Sequence, residues 1–480
     1  MKSLLWFRRD LRLTDNLALL RAIEDGEVIP VYIHAPEDEA DWAPGGASLW
    51  WLHHSLTALR GDLRDRGADL VIRKGPGLET LQALIRETGA GQVLWNRLYE
   101  PALIRRDEGI RATLRDAGIR AESFNAALLF EPWTVAKQDG DPYKVFTPFW
   151  NACLAMGMPV DVKPAPKRIT IPPHLPESAD IDTVRILPRP DWDTGFPELW
   201  TPGEAGALKR LVDFMDEAVA DYDHMRNRPD RDGSSRLSPH LHFGEIGPRQ
   251  VAAACQMARD RHDRKAAGKG IDSFLREIGW REFAHHLLYH FPETTDEPLD
   301  PRFREVPWTA VDNETLAAWQ QGRTGIPLVD AAMRALWATG WMHNRARMVV
   351  ASLLTKNIGA HWLTGAKWFW DTLVDADLAN NTLGWQWTAG CGADAAPYFR
   401  VFNPVLQGER FDPKGDYVRR WVPELAMLPT RYIHKPWEAP EEVLEASGVR
   451  LGVNYPRPLV DLAESRRQAL VRWEMIKSAG

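Results

Sequence analysis

The chain has 480 residues, which is too many for one ordinary hydrophobic core and makes two domains the natural expectation. Its hydrophobic content of 44% and charged content of 26% are those of a soluble globular protein. The net charge of −7 argues against a general nucleic-acid-coating protein, although it leaves room for a local basic face.

The sequence gives no indication of a membrane span, a signal peptide or paired cysteines. No apolar run approaches the roughly 20 residues that a membrane span needs, and the N-terminal segment meets charge too early for a signal peptide. Cys153, Cys255 and Cys391 are far apart and have no CxxC partner, so neither a disulfide framework nor a metal site is indicated. We therefore expect a cytoplasmic protein without a bound metal.

Residues 1–130 alternate short apolar runs with amphipathic segments. The predicted strands are Leu4–Phe7, Val28–Ile33, Leu70–Arg73 and Val93–Trp95, and the predicted helices are Leu17–Glu24, Leu49–Arg66, Leu78–Glu87 and Leu103–Ala117. This alternation predicts an α/β domain, a doubly wound parallel sheet with helices on both faces. A GxGxxG motif is absent, so the domain lacks a dinucleotide fingerprint.

The charged residues after the first strand, from Arg8 to Asn16, are interpreted as helix caps and surface ions, with Asp15 or Asn16 as the cap. Residues 131–202 form a proline-rich connector that favours an extended chain wrapped over a surface. Its segment Phe146-Thr-Pro-Phe-Trp150 is the expected anchor. From 203 to 480 helical periodicity dominates, which predicts an all-α domain.

Three motifs in the helical part carry polar groups suited to a ligand. Gly233-Ser-Ser-Arg-Leu-Ser238-Pro239 places small hydroxyls beside glycine and ahead of a helix, a pattern that can bind an anion or simply cap the helix. In Glu277-Ile-Gly-Trp-Arg281 the acid and the arginine share a helix face, where they could also form an intrahelical ion pair. Trp341 to Met348 places an indole, an amide, an arginine and a thioether on one face.

The stretch from Trp362 to Arg400 is unusual in its aromatic content. It places indoles beside carboxylates and amides, whereas a structural core would favour aliphatic side chains. The whole chain has 22 Trp residues against 16 Phe and 9 Tyr. Such a stretch favours a flat heterocycle or an electron path, with a Trp-rich packed helix carrying solvated acids as the structural alternative.

This stretch resembles the photolyase/cryptochrome family. Asp375-Ala-Asp377 through Trp387, then Asp394-Ala-Ala-Pro-Tyr-Phe-Arg400, is similar to the flavin-site signature of that family. The opening Trp6 to Asn16 is similar to its first strand, loop and helix, and the resemblance covers nearly the whole chain. It implies FAD in the helical domain and a light-harvesting pigment in the first domain, methenyltetrahydrofolate or else a deazaflavin.

The resemblance also implies roles for individual residues. The residues matched to FAD binding are Tyr222, Ser234, Ser235, Arg236, Leu237, Ser238, Arg281, Trp341, Asn344, Arg347, Asp375, Asp377 and Asn381. Those matched to the lesion or to DNA phosphates are Arg226, Glu277, Trp280, Arg281, Asn344, Arg345, Met348, Trp387 and Arg400. Trp385, Trp362 and Trp308 match an electron relay from inner to outer.

The implied activity is light-driven repair of cyclobutane pyrimidine dimers in UV-damaged DNA by a monomeric carbon–carbon lyase. Relatives that repair the (6-4) photoproduct carry histidine at the positions of Asn344 and Met348, which favours the cyclobutane dimer here. The alternative is a blue-light receptor of the cryptochrome type, which needs the flavin and the relay but no dimer pocket. A non-catalytic nucleotide-binding adaptor would leave the Glu277 and Trp341 motifs unexplained.

Overall fold

The computed structural model describes residues 1–183, 187, 192–261, 268–395 and 399–478. Ala396-Pro-Tyr398 of the flavin-site motif lies outside the described residues. The N-terminal part contains five parallel strands in the order β3-β2-β1-β4-β5. They are β1 Lys2–Phe7, β2 Glu27–His34, β3 Val71–Lys74, β4 Gln92–Asn96 and β5 Arg120–Phe124. The four predicted strands are therefore present.

The fifth strand was missed because it lies at the sheet edge. Of β5 only Ala121 is buried, so Arg120-Ala-Glu-Ser-Phe124 has no apolar run to mark it. Four helices cover the sheet, namely α1 Leu17–Asp25, α2 Gly46–Arg64, α3 Gly77–Thr88 and α4 Pro101–Asp116. Leu5 and Phe7 of β1 belong to one hydrophobic cluster, and Leu4 and Trp6 to another, so both sheet faces are buried.

The loop after β1 corrects one expectation. Arg8 and Arg12 are 7% and 1% exposed, so they are not surface ions. Arg8 pairs with Asp107 at 2.6 Å, and Arg12 donates to the carbonyl oxygens of Ala126 and Gly244, at 2.9 and 2.8 Å. The bond from Arg12 to Gly244 joins the N-terminal part to the helical part, whereas the other two lie within the N-terminal part. Asn16 caps α1, accepting from the backbone N–H of Leu19.

The connector is anchored by its aromatic segment, as expected. Its described residues contain one α-helix, α5 Phe146–Ala155, in which Phe146, Phe149 and Trp150 are buried, and a short 3-10 helix, Pro132–Thr134. Gly279 on the long helix of the C-terminal part lies against the Trp150 ring, since a Cβ there would come within 2.7 Å of it. Helix α5 of the connector is therefore packed against the helical part.

The described part of residues 203–480 is helical, with one isolated bridge between Leu451 and Tyr455. Its α-helices are α6 Glu204–Glu217, α7 Tyr222–Met225, α8 Ser238–His242, α9 Pro248–Arg261, α10 Gly268–His290, α11 Asn313–Gln320, α12 Pro327–Thr339, α13 Asn344–Ser352, α14 Trp362–Thr372, α15 Leu378–Ala389, α16 Pro404–Phe411, α17 Asp416–Trp421, α18 Glu441–Ala446 and α19 Leu462–Ser478. A π-helical segment, Leu353–Ile358, follows α13 directly. The fold class predicted from the sequence is confirmed. Among the described helices, none is long and apolar enough to cross a membrane.

Candidate functional site

The ion pair expected between Arg347 and Asp375 is present. Nη2 of Arg347 donates to both carboxylate oxygens of Asp375, at 3.0 and 2.8 Å, and its Nε donates to the carbonyl oxygen of Met342. The Asp375 side chain is 3% exposed and that of Arg347 is 26% exposed. α13 therefore presents a fixed cation to the segment that leads into α15.

Asp377 is a buried carboxylate that joins three elements. As the N-cap of α15 it accepts from the backbone N–H of Asn380 at 2.9 Å. Its other oxygen lies 3.4 Å from Nδ1 of His242 on α8 and 3.6 Å from Nε2 of His285 on α10. Burial alone would raise the pKa of Asp377, but His285 and His242 hold it well below its ordinary value. The site thus keeps a negative charge at the start of α15.

The loop before α8 is shaped as an anion site requires. Gly233 approaches Met225 so closely that a Cβ would lie 2.5 Å from the Met225 side chain. Arg236 has a φ of +50°, which is uncommon outside glycine. Its guanidinium lies 5.2 Å from the ring centre of Trp341, and its buried Nε has no hydrogen-bond partner within the described residues. That open donor fits a negatively charged group.

A second chain of contacts joins α7, α10 and α13. Tyr222 is buried against Phe274 of α10. Arg226 pairs with Glu277 at 2.6 Å, and Arg345 donates to the side-chain oxygen of Asn227 at 2.5 Å. These contacts join the loop before α8 and the three helices into one wall, which includes α13 with its Arg347.

The intrahelical pair between Glu277 and Arg281 is not formed. Glu277 takes Arg226 as its partner instead, whereas Arg281 is buried and donates to the carbonyl oxygen of Ala127 at 2.7 Å. Burial raises the pKa of Glu277, and Arg226 opposes that shift. Glu277 is thus a half-buried carboxyl group that takes up a proton more readily than an exposed one.

Aromatic side chains border Glu277. The Trp280 ring stacks on Phe146 with ring centres 3.9 Å apart and planes 8° apart. Nε1 of Trp387 donates to the carbonyl oxygen of Asp394 at 3.1 Å, and the backbone N–H of Asp394 donates to the carbonyl oxygen of Lys144 in the connector. Through the connector, Trp280 and Trp387 therefore belong to the same wall.

The α13 residues matched to the lesion are accessible. Asn344 is exposed, and Arg345 and Met348 are partly exposed, while Ala346 and Val349 face the core. Asn381 on α15 is also partly exposed and donates to the carbonyl oxygen of Ala366 at 3.0 Å, which fixes the orientation of its amide. The neutral groups among them, Asn344, Met348 and Asn381, lie on α13, which carries Arg347, and on α15, which Asp377 caps.

The three tryptophans matched to an electron relay range from a partly exposed position to the interior. Trp308 is partly exposed, and its ring centre lies 5.1 Å from His361, which in turn lies 5.7 Å from Trp362. Trp362 and Trp385 are 1% and 2% exposed and share one hydrophobic cluster. Gly365 on α14 lets the Trp385 ring lie flat on the helix, since a Cβ would come within 2.0 Å of it.

Comparison with known proteins agrees with this geometry. A family model described as DNA photolyase matches residues 3–169, and one described as the FAD binding domain of DNA photolyase matches residues 274–475. A deoxyribodipyrimidine photo-lyase of Agrobacterium fabrum is 48% identical over 476 residues, covering 99% of this chain and 98% of that protein. The chain belongs to the DNA photolyase family.

Other relatives in the family include cryptochromes. Cryptochrome-1 of Arabidopsis thaliana is 42% identical, covering 97% of this chain and 69% of that protein. A crystal structure of a class III photolyase from Agrobacterium tumefaciens matches this photolyase-family fold with a TM-score of 0.95, at 48% identity and covering 99% of this chain and 98% of that one.

The residues present fit FAD as the family's cofactor. The loop from Ser234 to Ser238 offers hydroxyls and the unpartnered Nε of Arg236 to a pyrophosphate. Arg347 and Asp377 supply one charge of each sign, with Asp377 buried and Arg347 partly exposed, and Asn381 supplies an amide.

A separate cavity lies at the carboxyl ends of β1, β2 and β4. The strand order reverses between β1 and β4, which is where open parallel sheets bind ligands. The indoles of Trp42 and Trp370 line it, with ring centres 5.3 Å apart. Arg9 also lines it and pairs with Glu39 and Glu100. The cavity therefore combines flat apolar surface with charged groups.

Sequence reasoning missed several residues of the site. His242 and His285 flank Asp377, Asn227 holds Arg345, and Phe146 stacks on Trp280. The only signal for His242 was its place four residues after Ser238, and nothing in the spacing pointed to His285 or Asn227.

Proposed function

We propose that this protein is a light-driven DNA repair enzyme that splits cyclobutane pyrimidine dimers, with FAD bound between the Ser234–Ser238 loop and α13 to α15. The observation that carries this proposal is the single wall that joins the Arg347–Asp375 pair to the Glu277, Trp280 and Trp387 side chains. A flavin site and a face for a flipped base pair are thereby adjacent.

Each side chain of that face has a distinct task. Glu277, which is partly exposed and pairs with Arg226 at 2.6 Å, forms a hydrogen bond with the flipped dimer. Trp280 and Trp387 pack against the rings of the dimer. Asn344 and Met348 offer an amide and a thioether but no imidazole, and opening a cyclobutane ring needs no acid of that kind.

The cofactor is held by the chain's own charges. Arg236 and the serine hydroxyls of its loop bind the pyrophosphate, while Arg347, Asp377 and Asn381 fix the flavin. When FAD is bound, it supplies the electron that opens the dimer and takes it back. Trp385, Trp362 and Trp308 carry electrons inward when the flavin must be reduced.

DNA is bound through phosphate contacts. Arg226, Arg345 and Arg400 are at least partly exposed on this side of the protein, and such contacts give affinity that falls with salt and does not depend on sequence. The dimer is found because it weakens stacking and makes flipping less costly.

The cavity at the carboxyl ends of β1, β2 and β4 is proposed to hold the light-harvesting pigment, methenyltetrahydrofolate, with a deazaflavin as the alternative. Trp42 and Trp370 offer faces or edges to a flat heterocycle, and Arg9 and Arg105 offer charge to an acidic tail. The absorption spectrum of the purified protein separates the two pigments and shows the flavin bands at the same time.

We further propose that the protein acts as a monomer in the cytoplasm. Its three cysteines are free and buried, which supports a reducing compartment. Light scattering of the purified protein measures the oligomeric state.

The function is tested with an oligonucleotide that carries one cyclobutane dimer. Blue light should restore the intact pyrimidines, and neither darkness nor light without protein should do so. Flavin photochemistry without any restoration of the pyrimidines would assign the protein to the cryptochrome-type receptors. This is the competing function, because the chain is 42% identical to a plant cryptochrome.

A further inference from the structure

Lys356 is a buried cation that the proposed reaction does not use. It lies in the π-helical segment after α13 and is 2% exposed. Among the residues that the structure describes, no carboxylate lies within ion-pair distance of its Nζ. An unpaired buried charge is costly, so a lysine at this position requires a function that offsets the cost.

Its contacts are all with the segment that carries Arg400. Nζ donates to the carbonyl oxygen of Arg400 at 2.5 Å and lies 4.0 Å from the ring centre of Phe399. The Phe399 ring also stacks with that of Trp473 on α19, with ring centres 5.3 Å apart and planes 7° apart. Phe399 therefore contacts both a cation and an indole.

A second bond holds the same segment two residues later. Ser352, four residues before Lys356, accepts from the backbone N–H of Phe402 at 3.1 Å. The Phe402 ring in turn lies 6.5 Å from that of Trp387. The backbone of Arg400 and of Phe402 is thus tied to α13 and to the π-helical segment that follows it.

The π-helical geometry explains how a lysine reaches this place. A π-turn adds a residue to the helical turn and rotates the residues that follow it. The segment is itself braced by α19, since Arg472 donates to the carbonyl oxygen of Lys356 and Asn357 donates to Ser465. Burial lowers the pKa of Lys356 to about 7, with Cys391 opposing and Arg400 adding to the shift.

We propose that Lys356 is a positioning residue for DNA binding, which holds the Phe399–Phe402 backbone so that Arg400 and Trp387 face the damaged strand together. This inference rests on the proposed function, because it needs damaged DNA as the ligand. It assigns no contact between Lys356 and DNA.

The test replaces Lys356 by methionine, which keeps the length of the side chain and removes the donor and the charge. Affinity for an oligonucleotide with one cyclobutane dimer should fall at least about tenfold, the effect of losing a charge-assisted hydrogen bond. FAD content and the rate of repair at saturating DNA should stay within about twofold of the wild type. The melting temperature should stay or rise, since removing an unpaired buried charge does not destabilise the fold.

The change in dimer affinity distinguishes this role from a purely structural one. A lysine that only fills the core would give an unchanged dimer affinity in Lys356→Met, and that result would overturn the inference. Lys367→Met is the matched control, because Lys367 is exposed on the neighbouring helix α14. If Lys356→Met does not fold, Ser352→Ala tests the same tie, and it should weaken dimer affinity a few-fold; unchanged affinity there also overturns the inference.

Failure of the proposed function would look different. If the wild-type protein does not prefer the dimer over undamaged DNA, the proposed function is refuted. If the wild type prefers the dimer and Lys356→Met does so equally, only the role of Lys356 is refuted.

Discussion

Replacing Asp375 by alanine should yield a folded protein that purifies with little FAD. The Asp375 carboxylate accepts two hydrogen bonds from Arg347 at 3.0 and 2.8 Å and is 3% exposed. Its removal leaves the Arg347 guanidinium charged and without its carboxylate partner. For a fully buried pair such a change costs about 3–5 kcal/mol. Because the Arg347 side chain is 26% exposed, we expect the lower end of that range.

A loss of about 3 kcal/mol in the complex corresponds to roughly a 100-fold weaker affinity for FAD. The assay is the ratio of flavin to protein absorbance after purification, with the melting temperature measured alongside. Asp375→Asn, which keeps the shape and one acceptor oxygen, should retain more FAD than Asp375→Ala. Asp216→Ala, at an exposed position on α6, is the control. Full FAD occupancy and an unchanged melting temperature in Asp375→Ala would refute the assignment.

Three further predictions follow from the site. Trp385→Phe should block photoreduction of oxidised FAD yet leave repair intact when the flavin is reduced chemically beforehand; unchanged photoreduction would exclude Trp385 from the relay. Arg345→Ala should weaken binding of damaged DNA and lower its log–log salt slope by about one, and an unchanged slope would mean that Arg345 contacts no phosphate. Burial raises the pKa of Glu282 from 4.5 to about 7, so the folded state holds this proton more tightly than the unfolded state. Stability should therefore fall as pH rises from about 4.5 through 7, by up to about 3 kcal/mol, and Glu282→Gln should flatten that dependence in denaturant titrations.

Local patterns predicted the fold well where burial was continuous. The apolar runs of β1, β2 and β4 are buried on both faces, so they stand out from their surroundings. The edge strand β5 lacks such a run. The burial of Arg12 could not be predicted, because its acceptors are carbonyl oxygens of residues distant in the chain, Ala126 and Gly244.

The contacts of the site could be predicted only where a family motif named both partners. The family resemblance led to the Arg347–Asp375 pair, which the structure contains. Helical spacing alone favoured an ion pair between Glu277 and Arg281, but tertiary packing supplies Arg226 as the partner instead. The position of Lys356 depends on a π-helical segment, and no sequence pattern distinguishes that segment from a continued α-helix.

Repair of two defined lesions, measured side by side, tests the central claim most directly. One oligonucleotide carries a cyclobutane pyrimidine dimer and the other a (6-4) photoproduct at the same position, and each is illuminated with blue light in the presence of the protein with its flavin reduced. The neutral Asn344 and Met348 side chains and the Glu277 carboxyl group predict that the dimer is restored to two pyrimidines while the (6-4) product remains. Repair of the (6-4) product, or of neither lesion with active flavin photochemistry, would contradict the account.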